Sequence, residues 1–279
     1  MLISKLVFTA EVWYNVTARQ YLKLEEIDQS FLKKIFQLPN SVPTLSLYVE
    51  CGIMPVRFII KYRRLMYYWH ILHLNDDELV KKFYLAQSMR PVKKDWALQV
   101  KDDISDINLR LGEDDIKRLS KEEFQKIVKK KMNAHVTEYF LNVQAQKVKT
   151  QHYVIDGSMK PAPYLFSDKL TVSEIQTLFK LRSRTISVKG NQSSSFINNM
   201  KCRICLVSSE TQDHVINCER LKKDMQYLNT ENLKPEMIFG SLDDQEEFTK
   251  VYHLLWMKRK ELLNLSQPPA SEAGGPLHQ

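Results

Sequence analysis

Apolar residues recur every three or four positions along the first part of the chain. In the segment YLKLEEIDQSFLKKIFQL the recurring positions are Leu24, Ile27, Phe31, Ile35 and Leu38. This spacing places side chains on one face of an α-helix, and Pro39 stops the helix. The pattern therefore predicts an amphipathic helix whose apolar stripe faces the core.

Two further helices are predicted from the residues that follow. The segment PTLSLYVE begins on Pro43, which is favoured at a helix start, and ends near Gly52, since glycine is favoured just after a helix end. Pro55 then opens the segment VRFIIKYRRLMYYWHILHL. Its apolar positions at helical spacing predict a second inward stripe, made of Phe58, Tyr62, Leu65, Trp69 and Leu72.

Later helices are indicated by capping boxes, in which a serine or threonine and a glutamate three residues on satisfy each other's backbone groups. One capping box joins Ser120 to Glu123 before a long charged helix, and another joins Thr171 to Glu174. The segment DDQEEFTKVYHLLWMKRKELLN predicts a final amphipathic helix. We therefore predict a mainly α fold, divided into residues 17–90, 91–165, 166–222 and 223–265, with a disordered tail over 266–279.

Composition favours helices and an anionic partner. Only 7 of the 279 residues are glycine, the net charge is +8 and the isoelectric point is about 9.1. A basic chain of this kind most often binds nucleic acid. No run of about 18 apolar residues indicates a membrane span, and Glu11 interrupts the apolar N-terminal run as no signal peptide would. We expect a nuclear or cytoplasmic protein, neither secreted nor in a membrane, with no small-molecule substrate apparent.

The residues with the most specific spacing lie in the segment CRICLVSSETQDHVINC. Cys202 and Cys205 form a C-x-x-C pair that can place two thiolates on one side of a turn. His214 and Cys218 are four residues apart and would share one face of a helix. Four sulfur and nitrogen ligands at these spacings predict a structural zinc site with no open position for water. Cys51 stands alone and is interpreted as a small buried hydrophobic residue.

Two clusters of cations are candidates for contact with phosphates. Arg57, Lys61 and Arg64 recur at helical spacing and are predicted to share one exposed face, with Arg63 beside them. The second cluster precedes the cysteines and consists of Lys180, Arg182, Arg184 and Lys189. No acidic residue interrupts either cluster, so we expect both to bind nucleic acid, with a solvated helix face as the alternative. The lysines at 129–131 are interpreted instead as a surface paired with nearby acids.

Catalytic arrangements are weak in this sequence. It contains no glycine-rich phosphate loop, no nucleophile elbow and no pair of histidines spaced for an open metal site. The densest group of acids can be a site for a divalent metal or the first turn of a helix, and consists of Asp243, Asp244, Glu246 and Glu247. The helix-start interpretation is favoured, because carboxylates there complement the helix dipole. We therefore assign no catalytic residue.

Four segments of the chain come in an order that points to one family. They are LVFTAEVWYNVT, LEEIDQSFLKKIFQLP, TLSLYVECGIMPVRFIIKYRRLMYYWHIL and KCRICLVSSETQDHVINC. Together they resemble the C-terminal part of the reverse transcriptase of non-long-terminal-repeat (LINE-type) retrotransposons, up to about residue 265. The resemblance implies, in order, a palm-end remnant, a helical thumb that grips the template duplex, a helical linker, a basic helix with a zinc knuckle that binds nucleic acid, and a C-terminal helical segment. These correspond to residues 1–16, 17–90, 91–165, 166–222 and 223–265.

The chain departs from this family in its catalytic residues. Polymerases of the family place catalytic aspartates in a [YF]-x-D-D turn between apolar strands, upstream of the matching region. The Asp-Asp pairs of this chain begin at residues 76, 102, 114 and 243, in polar helical or loop contexts. Without paired carboxylates on a rigid sheet to hold two magnesium ions, polymerisation has no chemical basis. We therefore expect a truncated or domesticated fragment that binds RNA, DNA or an RNA–DNA hybrid and does not polymerise.

Two other interpretations remain open from the sequence. The zinc knuckle can serve only to hold helices together, in a protein-interaction module whose basic face is merely solvated. The chain can also be a gene-model fragment of a complete RNA-directed DNA polymerase. Nucleic-acid binding by the purified chain would favour the leading interpretation over the protein-interaction module. An in-frame palm upstream in the genome would identify the chain as a fragment of a complete polymerase.

Overall fold

The computed structural model describes residues 5–90, 95–191 and 200–265, and the predicted disordered tail lies outside them. Within these residues the chain is mainly helical and contains no strand, which confirms the predicted fold class. The chain separates into two compact units, Met1–Ala162 and Pro163–Gln279. The basic helix that follows Pro55 lies in the first unit, and the cysteine segment lies in the second.

Seven α-helices form the described part of the first unit. They are α1 Ala18–Ile35, α2 Thr44–Cys51, α3 Val56–Leu72, α4 Leu79–Met89, α5 Trp96–Asp106, α6 Glu113–Arg118 and α7 Lys121–Ala145. The second unit contains α8 Val172–Arg182, α9 Gln212–Asn217, α10 Glu219–Asp224 and α11 Leu242–Leu265. Short 3-10 turns lie at Ala10–Val12, Val148–Thr150, Pro163–Phe166, Lys189–Asn191 and Pro235–Phe239.

The core of the first unit forms between α3 and α7. On α3, Phe58, Leu65 and Leu72 are buried as predicted, while Tyr62 and Trp69 are half-buried against the same core. On α7 the buried residues recur every four positions and are Phe124, Val128, Met132, Val136 and Phe140. Residues four apart share one helix face, so each helix offers one apolar face to the other.

Residues 91–165, which the family resemblance assigns to a linker, contribute to this core. Helices α5 and α6 add Val100 and Ile116 to the same buried cluster. The end of the region also crosses α2 closely, because a Cβ atom on Gly52 would lie 2.2 Å from the backbone nitrogen of Pro161. Gly52 has a left-handed φ of 61°, so glycine is required there both for its conformation and for the crossing.

Helix α1 is rotated about its axis relative to the orientation that its apolar pattern predicts. Ile27, Phe31 and Ile35 are 49%, 40% and 53% exposed. The fully buried residues of α1 are instead two acids, Glu25 and Asp28. The predicted inward stripe is therefore wrong for these three apolar residues, and α1 turns carboxylates towards the interior.

Arg57 on α3 explains this orientation. Its Nε and Nη2 atoms donate to the two carboxylate oxygens of Glu25 at 2.5 and 2.6 Å, so this carboxylate faces α3. A buried charge left without its partner costs about 3–5 kcal/mol, whereas a half-exposed isoleucine or phenylalanine forfeits only about 1 kcal/mol. The ion pair therefore decides which side of α1 faces inwards. From the predicted stripe, Leu24 packs partly against the interior and Leu38 is buried.

The second unit packs around α11. Helices α8, α9 and α10 and the turn Pro235–Phe239 all contact α11. The buried apolar residues of α11 are Phe248, Tyr252, Leu255 and Trp256. The capping box of Thr171 and Glu174 that starts α8 is present as predicted, as is the one that starts α7. Helix α11 thus provides the platform against which the cysteine segment packs.

The buried Asp28 makes the stability of the first unit depend on pH. Burial, followed by the nearby Glu25 carboxylate, raises the pKa of Asp28 to about 6. An aspartate in an unfolded chain has a pKa of about 3.9. The folded state therefore holds this proton more tightly, and the contribution of Asp28 to the free energy of unfolding rises as the pH falls from about 6 towards 4.

We predict that Asp28→Asn, which removes the ionised form, raises the free energy of unfolding by about 3 kcal/mol at pH 7.5 and by about half as much at pH 5. Urea denaturation of both proteins at each pH measures this. The exposed Asp77→Asn is the control and should change neither value. A variant less stable than the parent at pH 7.5 would show that the carboxylate is needed in its ionised form.

Candidate metal centre

The four residues selected by their spacing converge in the second unit. One ligand atom from each of Cys202, Cys205, His214 and Cys218 lies within 4.8 Å of every other. The Cys205 Sγ and His214 Nε2 atoms are 3.3 Å apart. Cys202 and Cys218 are buried, while Cys205 and His214 are half-buried. The four side chains therefore form a compact cluster that can hold one metal ion.

A tight turn brings the first two ligands together. Lys201 and Ser209 pair as an isolated antiparallel bridge, and the Cys202 N–H donates to Ser208 O at 2.7 Å. The chain reverses between them at Leu206, whose φ of 60° is left-handed and whose N–H donates to Cys202 O at 2.9 Å. The reversal turns the Sγ atoms of Cys202 and Cys205 to the same side, which is the arrangement that a C-x-x-C pair favours.

The last two ligands come from consecutive short helices. Thr211 caps α9, and its Oγ1 accepts from the His214 N–H at 3.0 Å, which places the imidazole in the first turn. Cys218 follows α9 and precedes α10 with extended backbone angles of φ −71° and ψ 107°. The expectation that His214 and Cys218 lie on one helix face is therefore wrong, because the helix ends between them. Their ligand atoms still converge because the chain bends at Cys218.

The protonation of the cluster suits a cation. Burial lowers the pKa of His214, so its imidazole is neutral and its Nε2 can act as a ligand. Burial raises the pKa of Cys218 to about 12. Burial also opposes ionisation of Cys205, but backbone N–H donors of Val207 and Ser208 lower its pKa overall. A bound metal ion supplies the positive charge that lets all three thiols ionise together.

A buried ion-pair network fastens the cluster to α11. Glu210 is fully buried and accepts hydrogen bonds from the backbone N–H and guanidinium of Arg203, at 2.9 and 2.5 Å, and from Arg259 of α11. Burial opposes ionisation, but these two arginines lower the pKa of Glu210 to about 2. Tyr252, also on α11, donates from its hydroxyl to Gln212 O at 3.2 Å. The knuckle is defined as residues 201–218. This network therefore holds it to the rest of its unit.

No local signal in the sequence points to this network. Arg259 is 49 residues from Glu210 and lies within a basic stretch of α11 that resembles an exposed helix face. It is 2% exposed, and its guanidinium lies 4.8 Å from the centre of the Trp256 ring. Only the packing of α11 against the knuckle shows that Arg259 supports the site.

The cations of α3 do not form the exposed face that their spacing predicts. Arg64 is fully buried and pairs with Asp103 at 2.6 Å, so the prediction is wrong for this residue. The remaining three are half-buried and are held by carboxylates: Arg57 by Glu25, Lys61 by Asp106 and Arg63 by Glu11. These acids come from other segments of the fold, which a search along the sequence of α3 does not reveal. Binding of nucleic acid by this cluster stays a prediction that the geometry does not favour.

The second basic cluster is also engaged within its own unit. Arg182 donates to Ile238 O at 2.5 Å and lies 4.5 Å from the centre of the Phe239 ring. Lys189 donates to Lys201 O at 2.9 Å and so ties the end of the basic segment to the knuckle. Lys180 and Arg184 are half-buried, and burial lowers the pKa of Lys180. Contact of this cluster with phosphates stays a prediction, and the structure gives Arg182 and Lys189 a packing role.

The acids at the start of α11 have local partners. Asp244 accepts from Ser241 at the helix start, and Lys169 pairs with Asp243 at 3.1 Å and with Glu246 at 3.0 Å. Ser167 also donates to Glu246 at 2.6 Å. These contacts agree with the helix-start interpretation of the acidic group, and they neutralise the carboxylates that a second metal would need.

A different group of cations lines a groove of the first unit. Lys126, Lys129 and Lys130 lie along α7 in a groove of about 630 Å³, which they share with Asn133, Thr137 and the acid Asp156. Within the described residues none of the three lysines forms an ion pair or a side-chain hydrogen bond. The interpretation of the lysines at 129–131 as paired with nearby acids is therefore wrong. The sequence contained a signal for this surface in the spacing of the lysines by three and four residues. That spacing places them on the α7 face that also carries Asn133 and Thr137.

The chain was compared with protein-family models, with curated proteins and with solved structures, and none of them matches it. In the part of the chain that the structure describes, no helix combines the length and the apolar character needed to cross a membrane. Two features of the described residues bear on function: the cluster of side chains that can hold a metal ion and the lysine groove of α7.

We predict that the purified chain binds one metal ion and that Cys205→Ser reduces bound metal from about one ion per chain to a small fraction, because three ligands cannot close a tetrahedral site. Native mass spectrometry under reducing conditions measures the stoichiometry. Cys51→Ser is the matched control, since Cys51 lies outside the cluster, and it should keep the metal. Metal loss in both variants, or in neither, would contradict the assignment.

Proposed function

We propose that this chain is a zinc-containing nucleic-acid-binding protein, derived from the C-terminal part of a LINE-type reverse transcriptase and without polymerase activity of its own. The observation that carries the binding function is the lysine groove of α7, whose three ammonium groups have no carboxylate partner among the described residues. Lysines that are already neutralised within the fold gain little from a phosphate, whereas an unpaired lysine that neutralises a phosphate releases counterions condensed on the nucleic acid. The net charge of +8 acts in the same direction.

Zinc is the metal that best fits the cluster. Three thiols and one imidazole are the ligands that tetrahedral zinc prefers, and four protein ligands complete its coordination. No position is then left for a reacting water, so the ion has a structural role. Helices α9 and α10 have only six residues each and are too short to be stable alone, so the ion stabilises the knuckle together with the network around Glu210.

A protein-interaction module is the second candidate function. The observation that favours it is the apolar side of α1, which the first unit leaves exposed. The two functions need different surfaces of the first unit, α7 for nucleic acid and α1 for protein. They can therefore be tested independently.

The lysine groove predicts a specific dependence of binding on salt. We expect the variant Lys126→Gln/Lys129→Gln/Lys130→Gln to reduce the slope of log affinity against log salt by about 2 to 3, since each phosphate contact on duplex contributes about 0.9. Fluorescence anisotropy with a labelled RNA–DNA hybrid, and with each single strand, measures the slope. The loss should be similar for unrelated sequences, because phosphate contacts do not read bases.

A charge-matched variant controls for a general electrostatic effect. Lys82→Gln/Lys101→Gln/Lys147→Gln removes the same charge from exposed lysines outside the groove and should keep most of the slope. Equal losses in the two triple variants would show diffuse attraction instead of a site. If the parent protein binds none of the three probes, the proposed function is wrong.

The proposal also predicts that this chain alone extends no primer on any template. The residues that resemble the family lie outside its catalytic [YF]-x-D-D turn. Among the Asp-Asp pairs of this chain, the most buried aspartate is Asp103, and it is held in the ion pair with Arg64. Incorporation of labelled deoxynucleotides, compared with a mock purification, tests this. Template-dependent incorporation that follows the protein through a final gel-filtration step would overturn the absence of polymerase activity and leave nucleic-acid binding intact.

A further inference from the structure

Helix α1 carries an apolar surface that the described residues of the first unit leave uncovered. Its outward apolar side chains at helical spacing are 40% to 53% exposed and are Ile27, Phe31 and Ile35. The segment before the helix adds Val12 and Tyr14, which are 47% and 58% exposed. Single exposed apolar residues are normal on a protein surface, but a contiguous row at helical spacing marks an interaction surface.

Two depressions along this row form one continuous groove. The first has a volume of about 550 Å³ and lies between α1 and residues 12–16. The second has a volume of about 680 Å³ and follows α1 towards its C-terminal end. Lys23 and Ile27 line both, so the groove extends from Gln20 to Lys34. At 1.5 Å per residue this length is about 21 Å, which accommodates three to four turns of another helix.

Folding makes the edges of this groove basic. Of the three acids in α1, Glu25 and Asp28 are buried, and Glu26 is exposed and lines the groove beside Lys23 and Lys34. The exposed cations of α1 are Arg19, Lys23 and Lys34. None of these three cations forms an ion pair within the described residues. The groove therefore combines an apolar floor with a net positive rim.

We propose that the outward face of α1 binds an amphipathic helix of a partner protein whose apolar residues are flanked by carboxylates. In helix-in-groove recognition, apolar side chains at helical spacing supply the anchors. Ile27 and Phe31 are four residues apart and form the floor for those anchors, while Lys23 and Lys34 pair with the flanking acids. The anchors give affinity, and the lysines select acidic helices over basic ones.

Charge decides between this partner and other occupants. A second copy of this chain would place the same cations against each other across the groove, which is unfavourable. Nucleic acid would gain no phosphate contact from Ile27 and Phe31 and would meet the carboxylate of Glu26 beside them. An acidic amphipathic helix satisfies the floor and the rim together.

The test uses two synthetic helix-forming peptides with identical leucines at helical spacing, one with glutamates and one with lysines beside them. Fluorescence anisotropy should show that the parent protein binds the glutamate peptide. The variant Ile27→Ser/Phe31→Ser should bind this peptide at least about tenfold more weakly. The control Val154→Ser/Phe166→Ser removes residues that are 86% and 75% exposed elsewhere and should bind like the parent. Lys23→Glu/Lys34→Glu should reverse the preference and bind the lysine peptide. Circular dichroism of each variant verifies that the helices are retained.

Several results would overturn the proposal. These are failure of the glutamate peptide to bind, equal binding of both peptides by the parent, and an unchanged preference after the charge exchange. Sedimentation that shows self-association, lost in Ile27→Ser/Phe31→Ser, would identify a second copy as the occupant. Binding to phosphatidylserine vesicles that is lost in the same variant, without peptide binding, would identify a lipid surface. Nucleic-acid binding should be unchanged in Ile27→Ser/Phe31→Ser, which keeps the charge of the chain, and this separates the proposal from the function of the α7 groove.

Discussion

The ion pairs that α3 makes with its neighbours determine how the first unit is organised. Arg57 binds Glu25 of α1, and Arg64 binds Asp103 of α5 in a site with no solvent access. Each pair joins a cation of the central helix to an acid of a surrounding helix. Because an unpaired charge inside a protein costs about 3–5 kcal/mol, these contacts constrain the rotation of α1 and α5. The orientation of α1 follows directly from this constraint.

This constraint also determines which cations remain available to other molecules. No acid interrupts the basic residues of α3 in the sequence, but the fold neutralises them. The lysines of α7 have acids nearby in the sequence, yet they form no ion pair among the described residues, even with Asp156, which lines the same groove. A phosphate therefore gains more from α7 than from α3. Burial of Glu25 and Asp28 likewise leaves the exposed side of α1 apolar and basic.

Buried ion pairs also organise the second unit, next to its cluster of cysteines and histidine. Glu210 follows the cysteine turn and is enclosed by Arg203 and by Arg259 of the long helix α11. The knuckle consists of one short turn and one short helix, which bury few apolar side chains, so it needs links other than a core. The side chains that can hold a metal ion come from its two halves, and the arginine pairs join it to α11.

The sequence by itself determined the features that depend on residues close together in the chain. Helix starts at Ser120 and Thr171, the inward stripe of α3 and the convergence of four ligands within seventeen positions all follow from local spacing. Tertiary structure decided which side of α1 faces inwards, which cations stay free and what supports the knuckle. The physical reason is that each of these depends on a charge pair between distant residues: Glu25 and Arg57 are separated by 32 positions, Arg64 and Asp103 by 39, and Glu210 and Arg259 by 49. Periodicity reports which residues share a helix face, but the partner of a buried charge is known only when the helices have packed.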